Sequence, residues 1–180
     1  MGDVVKIPGR RGFTLLELLT VLVIIGILSV LLLPAISGLR ARAQKAQCAA
    51  NLRSLYTATE LFIQQNGSWP QIPMTDSDSA EDDYAKAWME ALAPFGPTNK
   101  TWICPTMQNL MGNPDLSESD NVRIDYFAAN FDDKPTTPHQ WPQFPWFAEI
   151  GSVHGNGVLM ICTDGSIVES NKLIQNPRGK

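Results

Sequence analysis

Acidic side chains are nearly missing from the first third of this chain. Between Asp3 and Glu60 the sole carboxylate is Glu17, and no basic residue stands between Arg11 and Arg40. A stretch so poor in charge is excluded from being a solvated surface helix. From Phe13 to Leu33 it is instead an apolar run, and as a helix such a run spans a bilayer core of about 30 Å. Histidine is scarce as well, with His139 and His154 alone, and no HExxH or comparable ligand cluster occurs. No glycine-rich phosphate loop is present, which excludes nucleotide turnover by the known loop motifs. Internal repeats are absent, and so is the alternating acidic loop typical of strong calcium motifs. Cysteines number three, Cys48, Cys104 and Cys162, an odd count that permits one bridge and one free thiol; their spacings match no common zinc motif.

What is present divides by charge. At 180 residues and 44% hydrophobic, the chain holds one modest domain plus an anchor. Arg40, Arg42, Lys45 and Arg53 form a basic stretch with no acid, whereas from Ser54 onward there are 7 basic and 16 acidic residues. That acidic balance argues against nucleic acid as a partner. The amino-terminal run admits three readings. A secretory signal fits the basic start, but its apolar core is about 7 to 15 residues, and Glu17 would fall inside it. A plain anchor leaves Glu17 unexplained, at a cost of about 2.5 to 3.5 kcal/mol for a charge in hydrocarbon. The third is a short basic leader, Met1 to Gly12, removed on the cytoplasmic side, where Arg10 and Arg11 hold it. Gly12, without a side chain, lets a protease approach the backbone.

The segment "GRRGFTLLELLTVLVIIGIL", through Gly12, Phe13, Thr14, Leu15 and Glu17 to Pro34, resembles the amino-terminal motif of the type IV pilin superfamily, comprising pilins and the pseudopilins of type II secretion. The resemblance implies cleavage between Gly12 and Phe13 by a prepilin peptidase, and methylation of the new amine on Phe13. Glu17 then lies one helical turn from that amine. The resemblance pairs it with the amine of a neighbouring subunit, which sets the register of helices in a filament. It also implies an α+β pilin-like fold, a long helix packed on a small antiparallel sheet. The division expected is 1–12 leader, 13–36 membrane and assembly helix, 37–65 amphipathic continuation, and 66–180 head.

Within the continuation, Pro34 predicts a bend without a stop. Cys48, Leu52, Leu55, Thr59 and Phe62 form an apolar stripe, with Asn51, Arg53, Glu60 and Gln64 assigned to the opposite side. Asn66-Gly67 predicts the end. In the head, "SDSAEDDYAKAWMEALAPFG" predicts a helix capped by Asp78 or Ser79, with Tyr84, Trp88 and Leu92 on one face. "KTWICPT" and "RIDYFAANF" read as strands, Lys134 to Pro145 as an ordered surface loop, and "GVLMICTDGSIVES" as a hairpin turning at Asp164-Gly165. Trp141 and Trp146 suit either packing or a partner face.

His154, nine intervening residues, then Asp164-Gly165 resembles the carboxy-terminal signature of a bacterial group of prepilin-like proteins, whose helix, Cys-Pro and Tyr-Ala-Asn segments "CAANLRSL", "WICPT" and "DYFAAN" also resemble. Ser166 stands where that group often has histidine. Three readings remain for the signature: a catalytic or metal pair of His154 and Asp164, a calcium site on Asp164, or a turn at Asp164-Gly165 with His154 bonding the adjoining loop. The last is preferred, with no metal or cofactor expected. The family pattern implies a Cys48–Cys104 disulfide, with Cys104–Cys162 as competitor and Cys162 otherwise a buried strand residue. Pilins and pseudopilins are structural subunits, so no catalytic residue is expected. The implied partners are other pilin-like subunits, the peptidase and methyltransferase, and an assembly platform. The implied location is the bacterial inner membrane, crossed once, with the head in the periplasm or outside. A secretion pseudopilin is preferred over a major or minor pilus subunit serving adhesion or DNA uptake. A membrane-tethered enzyme or glycan-binding head is the alternative from another class.

Overall fold

The computed structural model describes residues 12–73, 80–112, 123–155 and 157–175. Helix α1 runs from Leu15 to Asn66 without a break at Pro34; the bend expected there lies outside what is described. The chain divides into two compact units, Met1–Arg40 and Ala41–Lys180.

The described part of the first unit is the start of α1. Its large apolar side chains from Phe13 to Leu31 are all exposed, from 46% at Val21 to 88% at Leu15. Among the described residues no helix is long and apolar enough to cross a membrane.

The second unit is an α+β head. Its helices are the remainder of α1, then α2 (Ala80–Leu92), α3 (Pro105–Met111) and α4 (Ser170–Gln175). Its strands are β1 (Tyr126–Ala128), β2 (Pro145–Glu149), β3 (Leu159–Cys162) and β4 (Ile167–Glu169). They form an antiparallel meander in the order β1-β2-β3-β4. Successive strands that pair with their neighbours need only short connections. Register sets Tyr126 opposite Glu149, and Phe147 opposite Ile161.

The apolar stripe of α1 supplies one side of the core. Cys48, Leu52, Leu55 and Thr59 are buried, and Phe62 packs on the cluster from its margin. Asn51 does not lie on the polar side as expected. It is buried, and its Nδ2 donates to the Ile103 carbonyl at 3.0 Å and to the Tyr126 hydroxyl at 3.2 Å. Burial of an amide is tolerated because both donors are satisfied. The helix stops where Asn66-Gly67 places it: Gly67 takes φ +74° and its N–H returns to the Ile63 carbonyl at 2.8 Å, a left-handed exit open to glycine.

Trp69, Trp88, Trp102 and Trp146 are all buried. Trp69 sits between Trp88 and Trp146, edge to face with both at 5.9 and 5.0 Å, a geometry worth about 0.5 to 1.5 kcal/mol per pair beyond burial. Trp146 therefore serves packing, while Trp141 is 54% exposed. Helix α2 presents Tyr84, Trp88 and Leu92 to this core as its spacing requires; the caps assigned to Asp78 and Ser79 lie outside the described residues.

Two assignments are corrected. "KTWICPT" is no strand. A 3-10 turn occupies Asn99–Trp102, closed by reciprocal bonds between Thr98 and Thr101, and α3 begins directly at Pro105, where a fixed φ and missing N–H suit a first helical position. The loop read as Lys134 to Pro145 ends one residue early, because Pro145 opens β2 at a register shift, a place where a strand tolerates proline. "RIDYFAANF" holds a strand at Tyr126–Ala128 alone, and the predicted hairpin is β3 with β4.

Candidate functional site

Two groups of residues singled out by the sequence lie in the two units. At the start of α1, Thr14 and Glu17 cap the helix reciprocally. The Thr14 N–H and hydroxyl donate to Glu17 Oε2 at 3.0 and 2.9 Å, and the Glu17 N–H donates to Thr14 Oγ1 at 3.2 Å. This is the Thr-x-x-Glu capping box, a local role for Glu17 that the pattern "TLLE" already spelled out and that the ion-pair reading passed over. Gly12 and Phe13 precede the helix and are exposed.

In the head, the two halves of the His154 to Asp164-Gly165 signature serve different places. Asp164-Gly165 makes the β3–β4 turn: the Gly165 N–H donates to the Cys162 carbonyl at 2.8 Å, and the Ser166 N–H to Asp164 Oδ1 at 2.9 Å. The Ser166 side chain first, and then its N–H, hold the Asp164 carboxyl below the usual range. Gly165, at φ +74°, lies beneath the Tyr56 ring, whose hydroxyl donates to the Thr163 carbonyl at 2.8 Å. The turn is thus seated on α1 at Tyr56. Lys45 pairs with Glu169 at the end of β4, fixing the same hairpin at a second point.

His154 goes elsewhere. Its Nε2 lies 3.0 Å from Glu149 Oε1 and 3.7 Å from Cys104 Sγ, so its partners are the last residue of β2 and the N-cap of α3, not the adjoining loop as expected. Cys104 Sγ is 3.6 Å from Glu149 Oε1 and 2.6 Å from Cys48 Sγ. Cys48 and Cys104 are therefore neighbours, as the family pattern implied, but both are free thiols in this structure, as is buried Cys162. Asp164 and Cys162 take no part in the cluster.

Each member is held from its own segment. Cys48 comes from the buried stripe of α1. Cys104 is fixed through its backbone, whose N–H donates to Asp125 Oδ2 at 2.8 Å, while Arg123 pairs with Asp125 at 2.9 Å. Glu149 is placed by pairing with Tyr126, and the Leu159 N–H donates to its Oε2 at 3.3 Å. The side chains of His154 and Glu149 are 4% and 0% exposed. The Cys48 thiol hydrogen-bonds the Cys104 sulfur and draws its pKa down to about 5, helped by the N–H groups of Met107 and Thr106, whereas Cys48 itself is pushed up. Burial, with the Cys104 sulfur beside it, raises the Glu149 carboxyl to about 7. All four donor atoms lie within 4.8 Å of one another. Glu149 was missed in the sequence because a single acid ending "PWFAE" carries no pattern; only the sheet register brings it to His154.

Residues 7–33 match the family model described as the prokaryotic N-terminal methylation motif. Over 58 residues the chain is 41% identical to the type IV major pilin protein PilA of Myxococcus xanthus (strain DK1622), covering 32% of this chain and 26% of that protein. It is 36% identical over 61 residues to the type II secretion system core protein G of Escherichia coli (strain K12), 34% of this chain and 42% of that protein. Against the type II secretion system core protein G of Aeromonas hydrophila, identity is 27% over 130 residues, 71% of this chain and 87% of the relative. The chain spans 26% to 42% of the length of the first relatives it matches. No solved structure matches it significantly. In its amino-terminal motif the chain is similar to type IV pilins and type II secretion pseudopilins, and its long helix and four-stranded antiparallel sheet are consistent with an α+β pilin-like fold.

Proposed function

We propose that the chain is a filament-forming structural subunit, a type II secretion pseudopilin that polymerises through its amino-terminal helix to drive protein export. The observation that carries this is the exposed apolar start of α1 beneath a methylation motif. Apolar surface on that scale requires a cover. The apolar run Phe13 to Leu33 finds it in the inner membrane before assembly and in neighbouring helices afterwards. Cleavage after Gly12 creates the Phe13 amine, methylation modifies it, and Glu17 of a neighbouring subunit pairs with it. Removing one partner of a buried ion pair costs about 3 to 5 kcal/mol. The head faces the periplasm or the exterior, and neither it nor the helix performs catalysis.

The alignment with core protein G of Aeromonas hydrophila, which extends over 71% of this chain and so well into the head, favours the secretion reading. The higher identity to a major pilin, confined to 32% of the chain, favours a pilus subunit as the second reading. Deletion of the gene separates them. Loss of exoprotein release supports the pseudopilin, and loss of surface filaments with export intact supports the pilus. Under both, Glu17→Ala inserts and is processed as wild type but is at least tenfold depleted from filaments, measured by shearing and quantitative blotting. Normal incorporation of Glu17→Ala contradicts both.

A further inference from the structure

Cys48, Cys104, Glu149 and His154 have no part in the filament mechanism, yet they bring two sulfurs, a carboxylate and an imidazole together from four separate segments. We infer that these four side chains form a structural zinc centre that ties α1 to the head. The donor set is the argument's first support. Sulfur, nitrogen and oxygen in a four-membered group suit tetrahedral zinc, and four protein ligands leave no open position for catalysis.

Geometry is the second. With zinc bonds of about 2.3 Å to sulfur and 2.0 to 2.2 Å to nitrogen and oxygen, tetrahedral sulfur-to-nitrogen or sulfur-to-oxygen edges are about 3.5 Å. Cys104 Sγ lies 3.7 Å from His154 Nε2 and 3.6 Å from Glu149 Oε1. The two shorter edges, 3.0 Å between His154 and Glu149 and 2.6 Å between the sulfurs, open by about 0.4 and 1.2 Å to complete the tetrahedron.

Charge is the third. Ionised, the two thiolates and the carboxylate carry three negative charges around a neutral imidazole in a buried place, which is costly without a cation. Zinc binding releases the two thiol protons, and any proton on Glu149, to solvent and leaves a net charge of minus one. Arg42 and Lys45 line the cleft that reaches His154, opposite in sign to that residual charge. The supports around the ligands match a metal's outer shell: Asp125 holds the Cys104 backbone and the Leu159 N–H holds Glu149. A disulfide would use the same two sulfurs, so the two states exclude each other.

The test uses the full chain, purified from membranes in detergent without chelator and with free thiols alkylated at lysis. Expected are one zinc per chain by elemental mass spectrometry, Cys48 and Cys104 protected from alkylation until a chelator is added, and a lower melting temperature after zinc removal. Cobalt exchanged into the site gives the absorption of a tetrahedral thiolate complex. Glu149→Gln and His154→Ala each weaken zinc binding at least tenfold, whereas Cys162→Ser, an equally buried thiol outside the cluster, keeps full occupancy. A native Cys48–Cys104 disulfide without zinc overturns the assignment. So do free thiols that take up no metal when reduced protein is given zinc, or full occupancy in both ligand variants.

Discussion

Asn51 shows how much one buried amide decides in a head this small. It joins α1 to two separate segments, the Ile103 carbonyl before α3 and the Tyr126 hydroxyl on β1, and Gln47 donates to its Oδ1 at 3.1 Å. Asn51→Ala leaves the carbonyl and hydroxyl without that donor, and unsatisfied buried groups cost about 1 to 3 kcal/mol. A loss of stability in that range is expected in thermal unfolding of the detergent-solubilised chain. The position was legible: Asn51 follows Cys48 by three residues and precedes Leu55 by four, which puts it on the buried stripe, although its polarity suggests the opposite face. Glu17 carries a local bond besides the pairing its position implies. Its bonds to Thr14 give the carboxylate a partner while Gly12 and Phe13 remain joined. On the proposed mechanism its filament partner exists only after cleavage, so the same residue would serve a local cap first and an intermolecular contact later.

At the scale of elements, the head is assembled by pinning short strands to the second half of α1. The hairpin was readable because two β-prone runs flank Asp-Gly, and the exit of α1 because Asn-Gly follows its last turn. Gly67 has open space where a Cβ would go, so its constraint is conformational. Gly67→Ala must hold φ at +74°, and a left-handed residue with a side chain costs about 1 to 2 kcal/mol. Chemical denaturation is expected to register a loss of that size, with an unchanged dependence on denaturant. Strand β2 and the turn at Asn99–Trp102 were not readable, for a shared reason. Trp102 and Ile103 favour strands by local preference, but Trp102 is drawn into the aromatic core and the Thr98–Thr101 bonds close a turn around it. Proline at the start of β2 disguises a strand whose partners lie on both sides. In both places tertiary packing outweighs local signal.

For the whole molecule, the two units carry different kinds of information. The amino-terminal unit states its class in sequence, since its motif is one contiguous stretch. The head states its architecture weakly, because its core is built from tryptophans far apart in sequence and its cysteine, glutamate and histidine cluster from four segments. The proposed mechanism joins them: an exposed apolar helix that exchanges lipid for neighbouring subunits, carrying a head that Tyr56 and Lys45 hold to the same helix. All of it depends on one covalent event, the cut that turns the Phe13 peptide nitrogen into a charged amine one helical turn from Glu17. Mass spectrometry of the mature chain, isolated from cells with an active prepilin peptidase, tests this most directly. A chain beginning at methylated Phe13 is the predicted result; a chain that still begins at Met1, or is cut anywhere but between Gly12 and Phe13, contradicts it.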